Sequence, residues 1–541
     1  MKVIIRLIFK GGGSKMKKLL LPIMVVSSLY AQATKSSDEW SASGRLNAYL
    51  QNINVVGNDS ANRDGTTHNE ELSLHAKGGV KDGVAGVDLR VRGTNDKRIQ
   101  KDGATILYLH TYYKDKAWNL EAGDVASSLN PYVFSASLKG AKVEYRSLEK
   151  KDTLNYAIIA GVKKAAWRDF YYADANEAPS AQSGAFAVTY LHERAKEIRL
   201  SAAAYKDDLD SGGADARIDG KKGYTFGLDG KWRFNKYVTL KGYGAYATGT
   251  QNLRANAPYH GAGAVTLKLF TRPVLRSLKS NFIYQRVSAK YIQFQGTGPQ
   301  DKEAFENANE WRINKQFKAR LNLKATRDNV DNDDLNATQK IYYEQVMLSY
   351  YPEFIKRANV DMRFSNKDVK GRGADDNQYI ASINMLVRSR SGLRYGGGYE
   401  YTHALDKNST ATSSKQIINN YNVLVGYKAH LSKVRSYRVS CKLSYRFIFD
   451  AQDTVGVKLD AGYTHNKRLS ADFYYLLNNT DRVAQNDTKN STYQLRGTYK
   501  LDAKGRDVVR LLLEKRDVNV DNDVANSYDE YIQKISLVMN F

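Results

Sequence analysis

The sequence predicts an all-β protein: a single large antiparallel transmembrane β-barrel of roughly 24–26 strands, preceded by a cleaved signal peptide. Three observations predict it. Apolar and polar side chains alternate with a period of two from near Trp40 to the C-terminus. Proline is scarce, 7 in 541 residues, while tyrosine and glycine number 38 and 40. Finally, no amphipathic helix long enough to cover a sheet interrupts the alternating segments.

The alternation is explicit in several places. Ala319, Leu321, Leu323 and Ala325 share one face of an extended segment, and Arg320, Asn322 and Lys324 share the other. From Tyr437 to Phe449 the odd positions are Tyr, Val, Cys, Leu, Tyr, Phe and Phe, against Arg438, Ser440, Lys442, Ser444 and Arg446. Val455, Val457, Leu459, Ala461 and Tyr463 alternate with Gly456, Lys458 and Asp460, and Ala358 to Phe364 repeat the pattern. A helix would return its apolar residues every three or four positions instead. The mean hydropathy of −0.56 does not oppose a membrane location, because only every second residue of a barrel strand touches lipid. Proline is avoided where every N–H is needed for a closed ladder, and tyrosine suits the two membrane interfaces.

Residues 16–33 are expected to be a signal peptide: Lys17 and Lys18 form a basic start, Leu19 to Val26 a short apolar core, and Ala31-Gln32-Ala33 a cleavage site. The core is too short to span a membrane. Residues 1–15, with Gly11-Gly12-Gly13 just upstream of Met16, are expected to be a mis-annotated extension, since a translated purine-rich ribosome-binding site has that appearance. Residues 34–541 then form the barrel. The tight polar turns Lys81-Asp82-Gly83 and Lys504-Gly505-Arg506 are expected on the periplasmic side, and long Asn/Asp-rich stretches on the outer side.

The last segment, Tyr531 to Phe541, carries Ile535, Leu537, Met539 and Phe541 on its outward set and ends on an aromatic. This resembles the C-terminal strand of Gram-negative outer-membrane β-barrel proteins. The resemblance implies an outer-membrane location, porin-like architecture, contact with lipid and lipopolysaccharide, and recognition by the barrel-assembly machinery through those four residues. The chain has neither a stretch for a plug domain before Trp40 nor the cysteine pairs of ushers and lipopolysaccharide-inserting barrels; Cys441 is its one cysteine.

Other chemistry is thin. Arg327 to Asp334 and Arg516 to Asp523 form a local repeat, expected as two hairpin loops. Their Asp331, Asp333, Asp521 and Asp523 are the candidates for a hard cation. The spacing is not that of an EF-hand loop, and Asp and Asn favour turns, so no metal is assigned. These Arg/Asp/Asn-rich hairpins also resemble those of the decahaem-associated outer-membrane barrels, which implies a second reading, a sheath around a multihaem cytochrome. The cytochrome would be a partner chain, because Cys-x-x-Cys-His is absent. The eight histidines are scattered; His192, followed by Glu193, and His403, three residues before Asp406, are the nearest to a catalytic pattern. No catalytic residue, enzyme activity or cofactor is assigned.

The basic residues are the most informative polar feature. The formal net charge is +25, and removing the six cations of residues 1–33 leaves about +19. Arg90, Arg92, Arg320, Lys324, Arg438, Lys442, Arg446 and Lys458 all alternate with apolar neighbours and are expected to line the lumen. A lipid-facing Arg at mid-depth would cost about 2–4 kcal/mol. Lumen acids such as Asp88, Asp361 and Asp460 offset part of this charge, and some of the rest is expected on loops facing lipopolysaccharide. Nucleic acid is not an expected partner. Two stretches break the alternation, Ser128 to Phe134 and Lys164 to Gln182; the second is expected either to fold in as a constriction or to remain an outer loop. The expected function is passive diffusion of small hydrophilic, anionic solutes through a pore, as a single barrel or a homo-oligomer.

Overall fold

The computed structural model describes residues 40–541 apart from 58–63, 81, 98–102, 150, 164–166, 168–179, 194, 209–218, 254, 256–259, 273–276, 293, 295–299, 332–336, 356, 372–373, 407–413, 433, 450, 467, 483–485, 503–505, 522 and 524–525. The expected extension and signal peptide lie outside the described residues. The alternating segments form 26 strands in one antiparallel sheet, each paired with its chain neighbours. β1 (Trp40–Gly57) also pairs with β26 (Tyr528–Asn540), from Arg45 opposite Asn540 to Gly57 opposite Tyr528, and the ring closes. Closure removes both sheet edges, the condition for a sheet to sit in hydrocarbon.

The outer face is apolar. Leu228 and Phe226 on β10 (Lys222–Arg233), Leu200 on β9 (Lys196–Asp208) and Leu443 on β21 (Arg435–Ile448) are each more than half exposed. A soluble protein would not display so continuous an apolar belt. Aromatic rings pair at one rim, Trp118 against Tyr145 and Phe317 against Tyr350, and again part-way up the wall, Tyr399 against Tyr421 and Tyr475 against Tyr493. The rim pairs suit an interfacial girdle.

At the seam, the Phe541 ring lies over Gly44, where a Cβ would come within 2.2 Å of it. The Gly44 N–H donates to the Phe541 carbonyl and the Phe541 N–H donates back. Ile535, Leu537 and Met539 stand opposite Leu50, Ala48 and Leu46 of β1.

Turns at one end of the barrel, such as 81–82, 115–117 and 389–392, are short; at the other end, segments such as 164–179, 209–221 and 288–301 are long. Short turns mark the periplasmic side, which also holds both ends of the strand set. Residues 81, 504 and 505 of the two turns expected on this side lie outside the described residues. One expectation needs correction: the two Arg/Asp/Asn repeats are not equivalent. β15 (Phe317–Arg327) ends before the first. The second runs inside β25 (Val508–Val520), where Val518 pairs with Tyr528 and β-branched Val520 extends the ladder against Thr488.

Candidate functional site

The site is built where two strands leave the wall. β4 (Ala104–Lys114) pairs with β5 (Trp118–Asn130) from Lys114 opposite Asn119 to His110 opposite Gly123, and the ladder stops there. β6 (Phe134–Arg146) likewise pairs with β7 (Asp152–Lys163) only from Arg146 opposite Asn155 to Lys139 opposite Val162. Beyond those points β5 and β6 pair with each other alone, up to Asn130 opposite Phe134. The outer half of this hairpin turns into the barrel.

The sequence supplies the bend. Gly123 has φ 99°, a conformation that L side chains rarely adopt. The Leu109 N–H at the edge of β4 donates to Asp124 at 2.7 Å in place of a strand carbonyl. Lys139 reaches the other oxygen of Asp124 at 2.6 Å, and the Trp167 indole N–H donates to the same carboxylate at 2.6 Å.

The inturned hairpin packs on the inner wall. Val125, Leu129, Val133, Phe134 and Leu138 form one buried cluster with Ile159 of β7 and with Ala185 and Ala187 of β8 (Ser180–His192). Ala203 of β9 and Ala245 of β11 (Val238–Thr250) pack against it. These wall residues alternate with exposed Phe186, Leu200 and Tyr246, which fixes them on the inner face. Small residues are required here: a Cβ on Gly227 of β10 would meet Val133 at 2.4 Å. Full burial of each large apolar side chain is worth about 1.5–3 kcal/mol, so the hairpin is docked rather than draped.

Polar contacts pin its tip. The Asn130 amide donates to Asp229 at 3.2 Å, and Arg199 donates to the Leu129 carbonyl while lying 3.6 Å from Asp229 and 2.9 Å from Glu197. The Tyr132 hydroxyl bonds Thr266 of β12 (His260–Thr271) and accepts from Gln285 of β13 (Leu278–Val287) at 2.7 Å. Tyr291, just beyond β13, donates its hydroxyl to the Tyr132 carbonyl at 2.7 Å. Nearby Phe294 stacks on Tyr205 and fills the space left by Gly223 and Gly249, so a second inturned segment clamps the first.

The expected lumen cations all lie on the face opposite the exposed apolar residues. Most have a carboxylate. Arg90 and Arg92 flank Glu71 at 2.9 and 3.3 Å; Arg320 meets Glu310 at 3.1 Å; Lys324 meets Glu306 at 2.8 Å. Arg438 meets Asp472 at 2.8 Å and Lys458 meets Asp460 at 3.8 Å. Exposed pairs of this kind contribute about 0–1 kcal/mol each, so they balance charge more than they hold the wall. Lys442 stands directly opposite Lys458, and Arg446 opposite Thr454. Among the described residues neither Lys442 nor Arg446 has a carboxylate within ion-pair distance.

The other candidates have ordinary roles. Asp331 accepts from the Ser288 hydroxyl and the Ala289 N–H, bracing the segment that carries Tyr291. Asp523 caps the Asn526 N–H. Asp521 donates its N–H to the Asp487 carbonyl, one step past Val520 opposite Thr488, and Asp333 lies outside the described residues. Among the described residues no group of three His, Cys, Asp or Glu gathers for a metal. His192 pairs with Asp152 at 2.7 Å near the periplasmic rim, not with Glu193, and His403 lies beside Tyr379. Of the 164–182 stretch, Trp167 sits on the hairpin base and 180–182 open β8, while 164–166 and 168–179 lie outside the described residues. It is the 128–134 stretch that turns inward.

The alternation alone did not reveal a polar chain across β2 (Gly65–Val80), β3 (Gly83–Thr94) and β4–β6. His75 bonds Asp88; His110 lies 3.4 Å from both Asp88 and Glu121; Lys142 bridges Glu121 at 3.0 Å and Glu144 at 3.2 Å. Only the ladder register brings these residues together.

No family model matches the chain, and no curated protein matches it. Among solved structures it is similar to the P pilus usher PapC translocation pore, with TM-score 0.36 and 10% identity over 92% of this chain and 99% of that one. It is similar to Pseudomonas aeruginosa OccK3 (OpdO), with TM-score 0.29 and 11% identity over 93% and 96%. A third is the ferric enterobactin receptor PfeA of Pseudomonas aeruginosa, with TM-score 0.42 and 8% identity over 93% and 80%. With its closed ring of 26 strands, apolar outer belt and aromatic rim, the chain is a β-barrel of the Gram-negative outer membrane.

Proposed function

We propose that the barrel is a porin-like channel through which small hydrophilic, anionic solutes diffuse passively. The observation that carries this reading is the inturned β5–β6 hairpin, which narrows the lumen without filling it. A circular ring of 26 strands spaced about 4.8 Å apart and tilted about 40° is about 50 Å across at the backbone. The hairpin arm from Asp124 to Asn130 reaches about 20 Å at about 3.3 Å per residue. It restricts passage on one side and leaves room on the other. It also occupies volume that a sheathed cytochrome would need, which favours an open pore over a sheath.

Charge supports the anionic preference. On the inner face of β18 (Ala374–Arg388) to β22 (Gln452–His465), Arg388 stands opposite Arg394, Lys428 opposite Arg438 and Lys442 opposite Lys458. Directly opposed like charges destabilise a sheet, so such a wall favours counter-ions in front of it. In a ring of 26, β21 lies half the circumference from β8, facing the docked hairpin. Cations lining a water-filled channel raise the local anion concentration and repel cations. The mechanism is electrostatic focusing plus size exclusion, without a covalent step.

The test is single-channel current from the refolded barrel in a planar bilayer under a KCl gradient. A steady conductance whose reversal potential has the sign of chloride selectivity is expected. A folded, heat-modifiable barrel that stays silent overturns the pore.

A further inference from the structure

Three lysines lie in one row just periplasmic to the hairpin tip. Lys231 of β10 stands directly opposite Lys241 of β11, and Lys241 directly opposite Lys268 of β12. Two residues along the same strands, toward the outer side, is the row Asp229, Tyr243 and Thr266, to which Asn130 and Tyr132 of the tip are pinned. All three lysines alternate with the exposed residues Leu228, Tyr246 and Leu267 by parity, so they share the inner face with that row. A solute passing the tip meets them next.

Their charge is not balanced locally. Glu197 stands opposite Lys231, but Glu197 and Asp229 are the two carboxylates that Arg199 engages. Four cations therefore face two acids. Among the described residues no ion pair involves Lys231, Lys241 or Lys268. Lys241 and Lys268 instead lie 5.5 Å from the centroids of Phe270 and Tyr243, contacts that temper a cation without neutralising it. Directly opposite residues hold their Cβ atoms about 4.5–5.5 Å apart, so adjacent ammonium groups can close on one small anion. An uncompensated row of three like charges opposes folding of the sheet, and an anion placed between them removes that repulsion.

We propose that Lys231, Lys241 and Lys268 form a binding row for oxyanions of at least two negative charges, such as phosphate, and that this row selects the solute at the constriction. The proposal rests on the pore reading for its role in transport, but not for the binding itself. Each ammonium donates to an anion oxygen; the flexible lysine stems let the row hold a carboxylate, sulfate or phosphate oxygen by turns, which suits passage better than tight capture.

Two measurements on the purified barrel separate the two readings. In the bilayer, inorganic phosphate added to a chloride solution at constant ionic strength should reduce the chloride current saturably. Lys241→Gln should raise the half-blocking concentration at least about tenfold. Lys370→Gln, which removes a cation that already has Asp368 at 3.1 Å, should leave it unchanged. In detergent, phosphate should raise the melting temperature of the wild type above that in matched chloride, and Lys241→Gln should abolish the increment. Neutralising the middle lysine relieves repulsion, so this variant is expected to fold at least as stably as the parent. Chloride-selective current with phosphate block unaffected by Lys241→Gln overturns the row and leaves the pore. No current at all, with a phosphate-dependent melting shift lost in Lys241→Gln, overturns the pore and leaves the row. Absence of the melting shift in the wild type overturns the row whatever the current.

Discussion

Gly123 stands directly opposite Gly140, and Gly140 directly opposite Gly161, so three neighbouring strands lack a Cβ on the line where the β5–β6 hairpin turns inward. A Cβ at Gly123 would lie 2.2 Å from the Leu109 carbonyl, and one at Gly140 would lie 2.1 Å from the Ala160 carbonyl. Both obstacles are backbone, which cannot swing aside as a side chain can.

The bend is therefore predicted to depend on Gly123. Gly123→Ala places a side chain at φ 99° against a carbonyl and should cost about 1–3 kcal/mol. The readout is the temperature at which the folded band on a gel converts to the unfolded one. Gly103→Ala, where a Cβ meets nothing within 4 Å, is the matched control and should leave that temperature unchanged. Equal transitions for the two variants would sink the hinge assignment.

Freeing the tip should widen the pore. Asn130→Ala removes the bond to Asp229; Tyr132→Phe keeps the buried ring but leaves Thr266 and Gln285 without their shared hydroxyl. Orphaning buried polar groups costs about 1–3 kcal/mol, enough to populate undocked hairpins without unfolding the barrel. Larger and noisier single-channel currents are expected, with the double variant above either single one. Unchanged conductance in the double variant would show that the tip does not restrict flow.

These two variants also mark where sequence reasoning succeeded and stopped. The period of two made the barrel legible, because a closed ladder imposes it on every strand, and Trp40 opens β1 where the alternation begins. The terminal Phe541 likewise announced the last strand. What alternation does not encode is distance across the lumen. Asn130 and Asp229 are 99 positions apart and meet only because β5 bends, so neither stands out alone. The 128–134 break was visible, but only the longer 164–182 stretch carried the alternatives of constriction or outer loop, and it is 128–134 that turns inward. The discriminating signal lay elsewhere: Ala185, Ala187, Ala203, Ala245, Ala247 and Gly227 are small on a face that elsewhere carries long polar side chains, and only an occupant explains that. Lumen charge was half legible. Alternation sets the cations on the face opposite the exposed apolar residues, yet pairing depends on register, which gave Arg320 a carboxylate and Lys442 a second lysine.

Selectivity should follow that difference. Lys442→Gln with Arg446→Gln removes two cations that lack a carboxylate among the described residues, so the anion preference should fall. Arg320→Gln leaves Glu310 still beside Lys318 at 3.0 Å, a smaller change in local field. The reversal potential in a tenfold KCl gradient should move toward zero more for the double variant than for Arg320→Gln with Lys324→Gln, and the gap should shrink at 1 M salt, where the Debye length is about 3 Å. Equal shifts would mean that the paired cations shape the field as strongly as the unpaired ones.

The seam allows packing to be separated from recognition. Phe541→Ala uncovers Gly44 and should weaken the β1–β26 contact by about 0.2–1 kcal/mol, the usual range for a cross-strand pair. Gly44→Leu alone drives a side chain into the Phe541 ring and should destabilise more. Combining Gly44→Leu with Phe541→Ala puts an apolar side chain into the space the ring vacates, so refolding in detergent should recover toward the parent. Assembly in cells answers a different question. If the assembly machinery recognises the terminal aromatic with Ile535, Leu537 and Met539, the double variant will refold in vitro yet fail to reach the outer membrane. Recovery in both settings would reduce Phe541 to a packing residue and remove it from any recognition role.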